Sequence, residues 1–266
     1  MTTLHFTKMQ GLGNDYLYVW GEVPENVAAL CKKLSNRHFG AGSDGMIYIS
    51  PSETADFKMR IFNADGGEAK MCGNGIRCVG KYVYDKGYTD KIRMTIETLS
   101  GIKALYLHTA GGKVKTVSVE MGSAQANDDI SLPVDGKQIV CTPVSVGNPH
   151  AVVFVENAET APVKTLGAQI EHAPAFPGGV NVEFVQVISS TELRMRVWER
   201  GSGVTMACGT GACASVATAV KKGFCPSDTP IFVRLDGGTL EIAVSQNGQV
   251  TMTGPAEFVY EGDALC

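Results

Sequence analysis

The chain has 266 residues, 44% of them hydrophobic and 19% charged, with a net charge of −4 and a pI near 5.8. That balance suits one large globular domain or two modest ones; it offers no basic surface for nucleic acid and no polybasic patch for a membrane. The opening residues MTTLHFTKMQGLGNDY lack the basic-then-apolar order of a signal peptide. No apolar run reaches the ~18 residues of a membrane-spanning helix, so a cytoplasmic protein is expected.

In chain order, the first strong pattern is Phe57–Phe62, where apolar and basic residues alternate as in a half-buried strand. A Gly/Asp-rich loop follows, then Cys72-Gly73-Asn74-Gly75. Ile76, Val79 and Val83 then fall on one helical face, and Gly87 stands where a helix C-terminal glycine belongs. Short β-branched runs come next: Lys115–Met121, Ile139–Val146, Ala151–Val155 and Val180–Val187. The first pattern then returns. A strand from Leu193 leads to Cys208-Gly209-Thr210-Gly211, to a helix carrying Ala212, Val216, Ala219 and Val220 on one face, and to Gly223. Further strands are expected at Ile231–Leu235 and Gly238–Val244.

This return is an internal repeat. Residues 57–87 and 193–223 align without a gap, 136 residues apart. Identical columns include Met59/Met195, Arg60/Arg196, Gly67/Gly203, Cys72/Cys208, Gly73/Gly209, Gly75/Gly211 and Gly87/Gly223. Upstream, Gly13-Asn14-Asp15-Tyr16 resembles Gly147-Asn148-Pro149-His150. The repeat predicts an α+β protein of two similar halves, residues 1–115 and 116–253, each a curved sheet around a central helix. A pseudo-twofold axis would then set an active-site cleft between them.

Eight cysteines are spread along the chain with no CxxC pair, which favours reduced thiols over disulfides and gives no structural zinc site. Cys31, Cys78, Cys141, Cys213, Cys225 and Cys266 are read as core residues. Cys72 and Cys208 stand apart, because they share a register, a glycine frame and a place just before a helix. Helix N-termini lower thiol pKa values, so both are expected to be activated. The amides of Gly73, Asn74, Gly209 and Thr210 are suited to cradling a carboxylate. Two thiols across one α-carbon can invert it, one removing the proton and the other returning one to the opposite face. No cofactor is needed for that chemistry.

The segments GLGNDY (11–16), FNADGGEAKMCGNGIRC (62–78), VGNPHAVVF (146–154), NVEFV (181–185) and ERGSGVTMACGTGACA (199–214) resemble those of the diaminopimelate epimerases. The resemblance implies two diaminopimelate-epimerase-like domains, barrel-like and mostly antiparallel, with the tail 254–266 returning to the first. It implies interconversion of LL- and meso-diaminopimelate in lysine and peptidoglycan-precursor biosynthesis, with no pyridoxal phosphate, no metal, and a homodimer. It assigns Cys72 and Cys208 as the acid/base pair, and Gly73, Asn74, Gly209 and Thr210 to the reacting carboxylate. Asn14, Asn63, Asn148, Asn181, Glu199 and Arg200 would hold the rest of the substrate, while His150 and Glu199 would tune the thiols. One departure is Gly45, where some members of the family carry glutamine; it leaves no side chain for a substrate contact.

Two rivals remain. A racemase of proline or hydroxyproline would share the cysteine pair but has no use for Arg200 and the asparagines, since its substrate lacks a distal charged end. A non-catalytic or thiol-redox protein of the same fold would tolerate loss of either cysteine or would exchange disulfides.

Overall fold

A computed structural model describes residues 3–265. Its contacts gather into two units, one running to Val119 and rejoined from Gly254 onward, the other Glu120–Thr253. Among the described residues no helix is long and apolar enough to cross a membrane.

In the first unit, strand Thr3–Gly11 pairs antiparallel with Glu257–Leu265 on one side and with Asn14–Trp20 on the other. Next come Gly45–Pro51 (parallel), Phe57–Asn63 (antiparallel), Arg93–Thr98 (parallel), Gly101–Ala110 and Lys113–Ser123 (both antiparallel). Each parallel step needs a crossover, and each has a helix in its connection: α1 (Val27–Ser35) and α2 (Gly73–Asp85).

The second unit repeats this order. Lys137–Ser145 pairs with Gln125–Ala126 and Pro149–Phe154, then follow Asn181–Ser189 (parallel), Glu192–Glu199, Ile231–Leu235 (parallel), Gly238–Val244 and Gln249–Pro255. Its crossover helices are α3 (Val163–Glu171) and α4 (Gly209–Lys221).

The helix expected in each half is therefore present as α2 and α4. Every residue of α2 from Gly73 to Val83 is buried, as are Ile76, Val79 and Val83 on the predicted face. Both helices stop on the predicted glycines. Gly87 (φ +79°) and Gly223 (φ +74°) adopt the left-handed conformation, and the next N–H groups, of Tyr88 and Phe224, reach back to Val83 O and Ala219 O.

The additional helices α1 and α3 cover the opposite sheet faces. Leu30, Cys31 and Leu34 close a core with Phe6, Leu17, Met46 and Tyr48; Val163 and Ile170 do the same with Ala151, Val153, Val182 and Phe184. Strands covered on both faces lose their polar alternation, which is why Gly45–Ser50 and Asn181–Val185 are buried at every position. Cys31, Cys78, Cys141, Cys213 and Cys225 are buried as expected, and none of the seven described cysteines is disulfide-bonded. Cys266 lies outside the described residues.

Candidate active site

Cys72 and Cys208 are the N-cap residues of α2 and α4. Both have extended backbones, and each sulfur accepts the N–H of the residue three positions on, Gly75 or Gly211, at 3.3 Å. The N-cap position ordinarily belongs to Ser, Thr, Asp or Asn, whose oxygens satisfy the first-turn amides. A sulfur is a weaker acceptor, so its use at both caps places a nucleophilic atom there at some cost to capping.

In the first unit the Cys72 thiol donates to Asn14 Oδ1 at 3.3 Å, while Asn14 Nδ2 donates to Asp44 at 2.8 Å. Arg37 ties Asp44 to Asp15, and Lys8 reaches Asp15 as well. Asn14 is thus held from behind with its oxygen on the thiol. Burial, with Cys72 close by, pushes the Tyr16 hydroxyl far above its usual range. Gly73 and Asn74 lie in the buried first turn, where Arg77 donates to Gly73 O and to Asn74 Oδ1. Gly45 has no room for a side chain, since a Cβ there would lie 2.1 Å from Phe62 O.

In the second unit the predicted residues cluster more densely. Cys208 Sγ lies 3.6 Å from Thr210 Oγ1, and Asn148 Nδ2 donates to that hydroxyl at 3.3 Å. Asn148 Oδ1 is 3.0 Å from His150 Nε2, and His150 Nδ1 donates to Glu183 Oε1 at 2.7 Å, with both side chains fully buried. Glu199 accepts from Thr205. Burial raises the Glu199 carboxyl, with Glu183 adding to the rise.

The expectation of an acidified thiol fails at Cys208. Burial, then the charges of Glu199 and Glu183, hold this thiol well above the ordinary range despite the Gly211 amide. Desolvation and two carboxylates outweigh a helix end.

The remaining predicted residues are placed more loosely. Asn181 Oδ1 accepts the Arg200 backbone N–H at 2.9 Å, which joins those two. The Arg200 guanidinium is exposed and donates to Gly178 O, while Gly209 opens α4. Asn63 is exposed at a strand end; its backbone N–H and C=O bond Gly67 and Gly66. Sequence reasoning missed Glu183, Asp44 and Thr205. The available signal for Glu183 was an acid inside an otherwise apolar run, NVEFV. Among the described residues no group of three or more His, Cys, Asp or Glu is placed to hold a metal ion.

The sequence profile described as diaminopimelate epimerase matches residues 6–126 and 142–259. The chain is 51% identical to the diaminopimelate epimerase of Acetivibrio thermocellus and 49% identical to that of Phocaeicola vulgatus, each match covering 98% of both chains. Among solved structures it resembles a Bacillus anthracis phenazine biosynthesis protein of the PhzF family, at TM-score 0.82 and 17% identity over 100% of both chains. It also resembles a probable proline racemase from Agrobacterium radiobacter, at TM-score 0.76 and 17% identity, covering 98% of this chain and 93% of that one. These two likenesses concern the fold alone. By the profile match and by near-full-length identity of about one half, the chain belongs to the diaminopimelate epimerase family.

Proposed function

We propose that this isomerase interconverts LL- and meso-diaminopimelate by inverting one α-carbon, with Cys72 and Cys208 as its two proton carriers. The observation that carries the reading is the matched pair of thiol caps, each on a buried 13-residue helix. In one direction a thiolate takes the α-proton and becomes a thiol, and the electron pair left on carbon delocalises into the substrate carboxylate. The other thiol then gives its proton to the opposite face and becomes the thiolate. First-turn amides at Gly73, Asn74, Gly209 and Thr210 stabilise the charge that develops on the carboxylate, because helix-initial N–H groups have no carbonyl partner within the helix.

Diaminopimelate has a second amino-acid centre that does not react. Arg200 is the group for its carboxylate, by a two-pronged guanidinium contact, and Glu199 for its ammonium. Asn14, Asn63, Asn148 and Asn181 supply neutral donors and acceptors. The scheme uses no pyridoxal phosphate. A cytoplasmic homodimer and a place in lysine biosynthesis belong to the same reading; sedimentation and cell fractionation test the first two.

The decisive experiment follows LL-diaminopimelate in deuterium oxide. Deuterium should enter at the inverted carbon, and Cys72→Ala and Cys208→Ala should each abolish inversion. Turnover without deuterium uptake, or an active single mutant, would falsify the two-thiol scheme. A proline and hydroxyproline panel should give no turnover.

A further inference from the structure

The two capped cysteines differ in one neighbour. In each unit a strand residue lies under the first turn of the helix: Ile47 beneath α2, Glu183 beneath α4, 136 residues apart like the cysteines themselves. A Cβ built on Gly75 would lie 2.7 Å from Ile47 Cδ1, and one on Gly211 would lie 2.6 Å from Glu183 Oε1. Sheet register agrees, since Ile47 pairs with Tyr18 and Glu183 with Val152 in equivalent parallel ladders.

Glu183 is wholly buried, with one oxygen on His150 and the other without a hydrogen-bond partner. A methyl-bearing side chain fills the same station in the first unit, so packing alone does not call for a carboxylate. The titratable groups on this sheet face are His150, Cys208 and Glu199. Glu171 of α3 bonds Trp198 on the other face.

We propose that Glu183 is a positioning residue that makes the two halves of the reaction unequal: it anchors His150 and keeps beside Cys208 a negative charge that Ile47 does not supply beside Cys72. Cys208 consequently rests as the thiol, the proton donor, until substrate arrives. This rests on the two-cysteine reading above.

The test uses the full-length enzyme. In Glu183→Gln, the alkaline limb of the kcat/KM–pH profile, where the donor thiol is lost, should move down by about one unit, equivalent to about tenfold in thiolate at fixed pH. KM should change little, because Glu183 is wholly buried beneath α4. Without substrate, iodoacetamide labelling of Cys208, mapped by mass, should accelerate by a similar factor while Cys72 labelling stays constant. Glu183→Asp retains the charge but shortens the reach to His150. It should keep the wild-type limb and labelling rate with a lower kcat. A wild-type limb and labelling rate in Glu183→Gln, or a shifted limb in Glu183→Asp, overturns the proposal. Where Glu183→Gln does not melt cooperatively, Glu183→Asp alone decides. Cys72→Ala and Cys208→Ala run in parallel: activity in either sinks the two-cysteine reading, whereas two inactive controls beside an unaltered Glu183→Gln sink only this inference.

Discussion

Arg77 and Asn74 are bonded to each other inside the first turn of α2, Arg77 Nη1 to Asn74 Oδ1 at 3.0 Å. The same guanidinium donates to Gly73 O at 3.2 Å and to Pro255 O at 3.1 Å, and it is fully buried. The turn that Cys72 caps is therefore fixed by a side chain from its own helix. The matching position in α4 is Cys213, which brings no such charge.

Arg77→Ala should lower stability by about 3 kcal/mol or more, because buried acceptors are left without donors. Urea unfolding measures this. Lysine should rescue little, since a single ammonium lacks the fork geometry that serves separated acceptors. An unchanged midpoint would show that these bonds are exchanged for water.

The two helix-initial glycines should respond differently to a methyl group. In Gly211→Ala the new Cβ meets Glu183 Oε1, which is pinned by His150; in Gly75→Ala it meets the movable tip of Ile47. Helix propensity favours alanine by about 1 kcal/mol at both sites. Gly75→Ala should keep the larger share of kcat/KM, and the reverse order would contradict the packing argument.

Gly45→Ala should cost about 1–3 kcal/mol through overpacking against the sheet. Its Cβ would press on Phe62 O, on Tyr16 Cε1 at 2.9 Å and on Asn63 Cα at 3.0 Å. A thermal melt of Gly45→Ala at wild-type temperature would show that the strands part readily. A longer side chain here must move the backbone before it meets any substrate.

Alkaline stability should carry the signature of Cys78. Burial pushes this thiol up to about 11. Its folded pKa is raised, so its contribution is full below the unfolded value of 9.0 and is lost as pH rises towards 11. Across that window the slope is about −1.4 kcal/mol per pH unit. Denaturant unfolding across that window should give Cys78→Ala a flatter slope than wild type; equal slopes would remove Cys78 as the cause.

The central helices were legible because three local signals coincide at each: a Cys-Gly-X-Gly entry, an apolar face at helical spacing, and an exit glycine. Their agreement at a fixed offset revealed the duplication. The outer helices α1 and α3 carry weaker signals. Each has nine residues and no side-chain cap, and α3 contains Gly167, where a Cβ would lie 2.5 Å from Trp198 Cβ. That glycine is there for packing against Trp198, and it masks the helix in the sequence.

The cysteines were legible for the same reason as their helices, but their environments were not. Glu183 stands in a strand buried on both faces, where the alternation that marks inward and outward positions is absent. Nothing local says that its carboxylate lies under α4. The raised Cys208 thiol follows from that tertiary placement, so a rule based on helix ends gave the wrong direction.

Strand Glu257–Leu265 and the Pro255 carbonyl belong to the unit that carries Cys72. Cys72 therefore precedes the second unit in the chain, whereas the last wall of its sheet, and an acceptor for Arg77, follow that unit. The continuous Glu120–Thr253 unit has all its strands in hand before that. Of the two central helices, the one synthesised first is secured last, so the first unit stays incomplete until the second has been made.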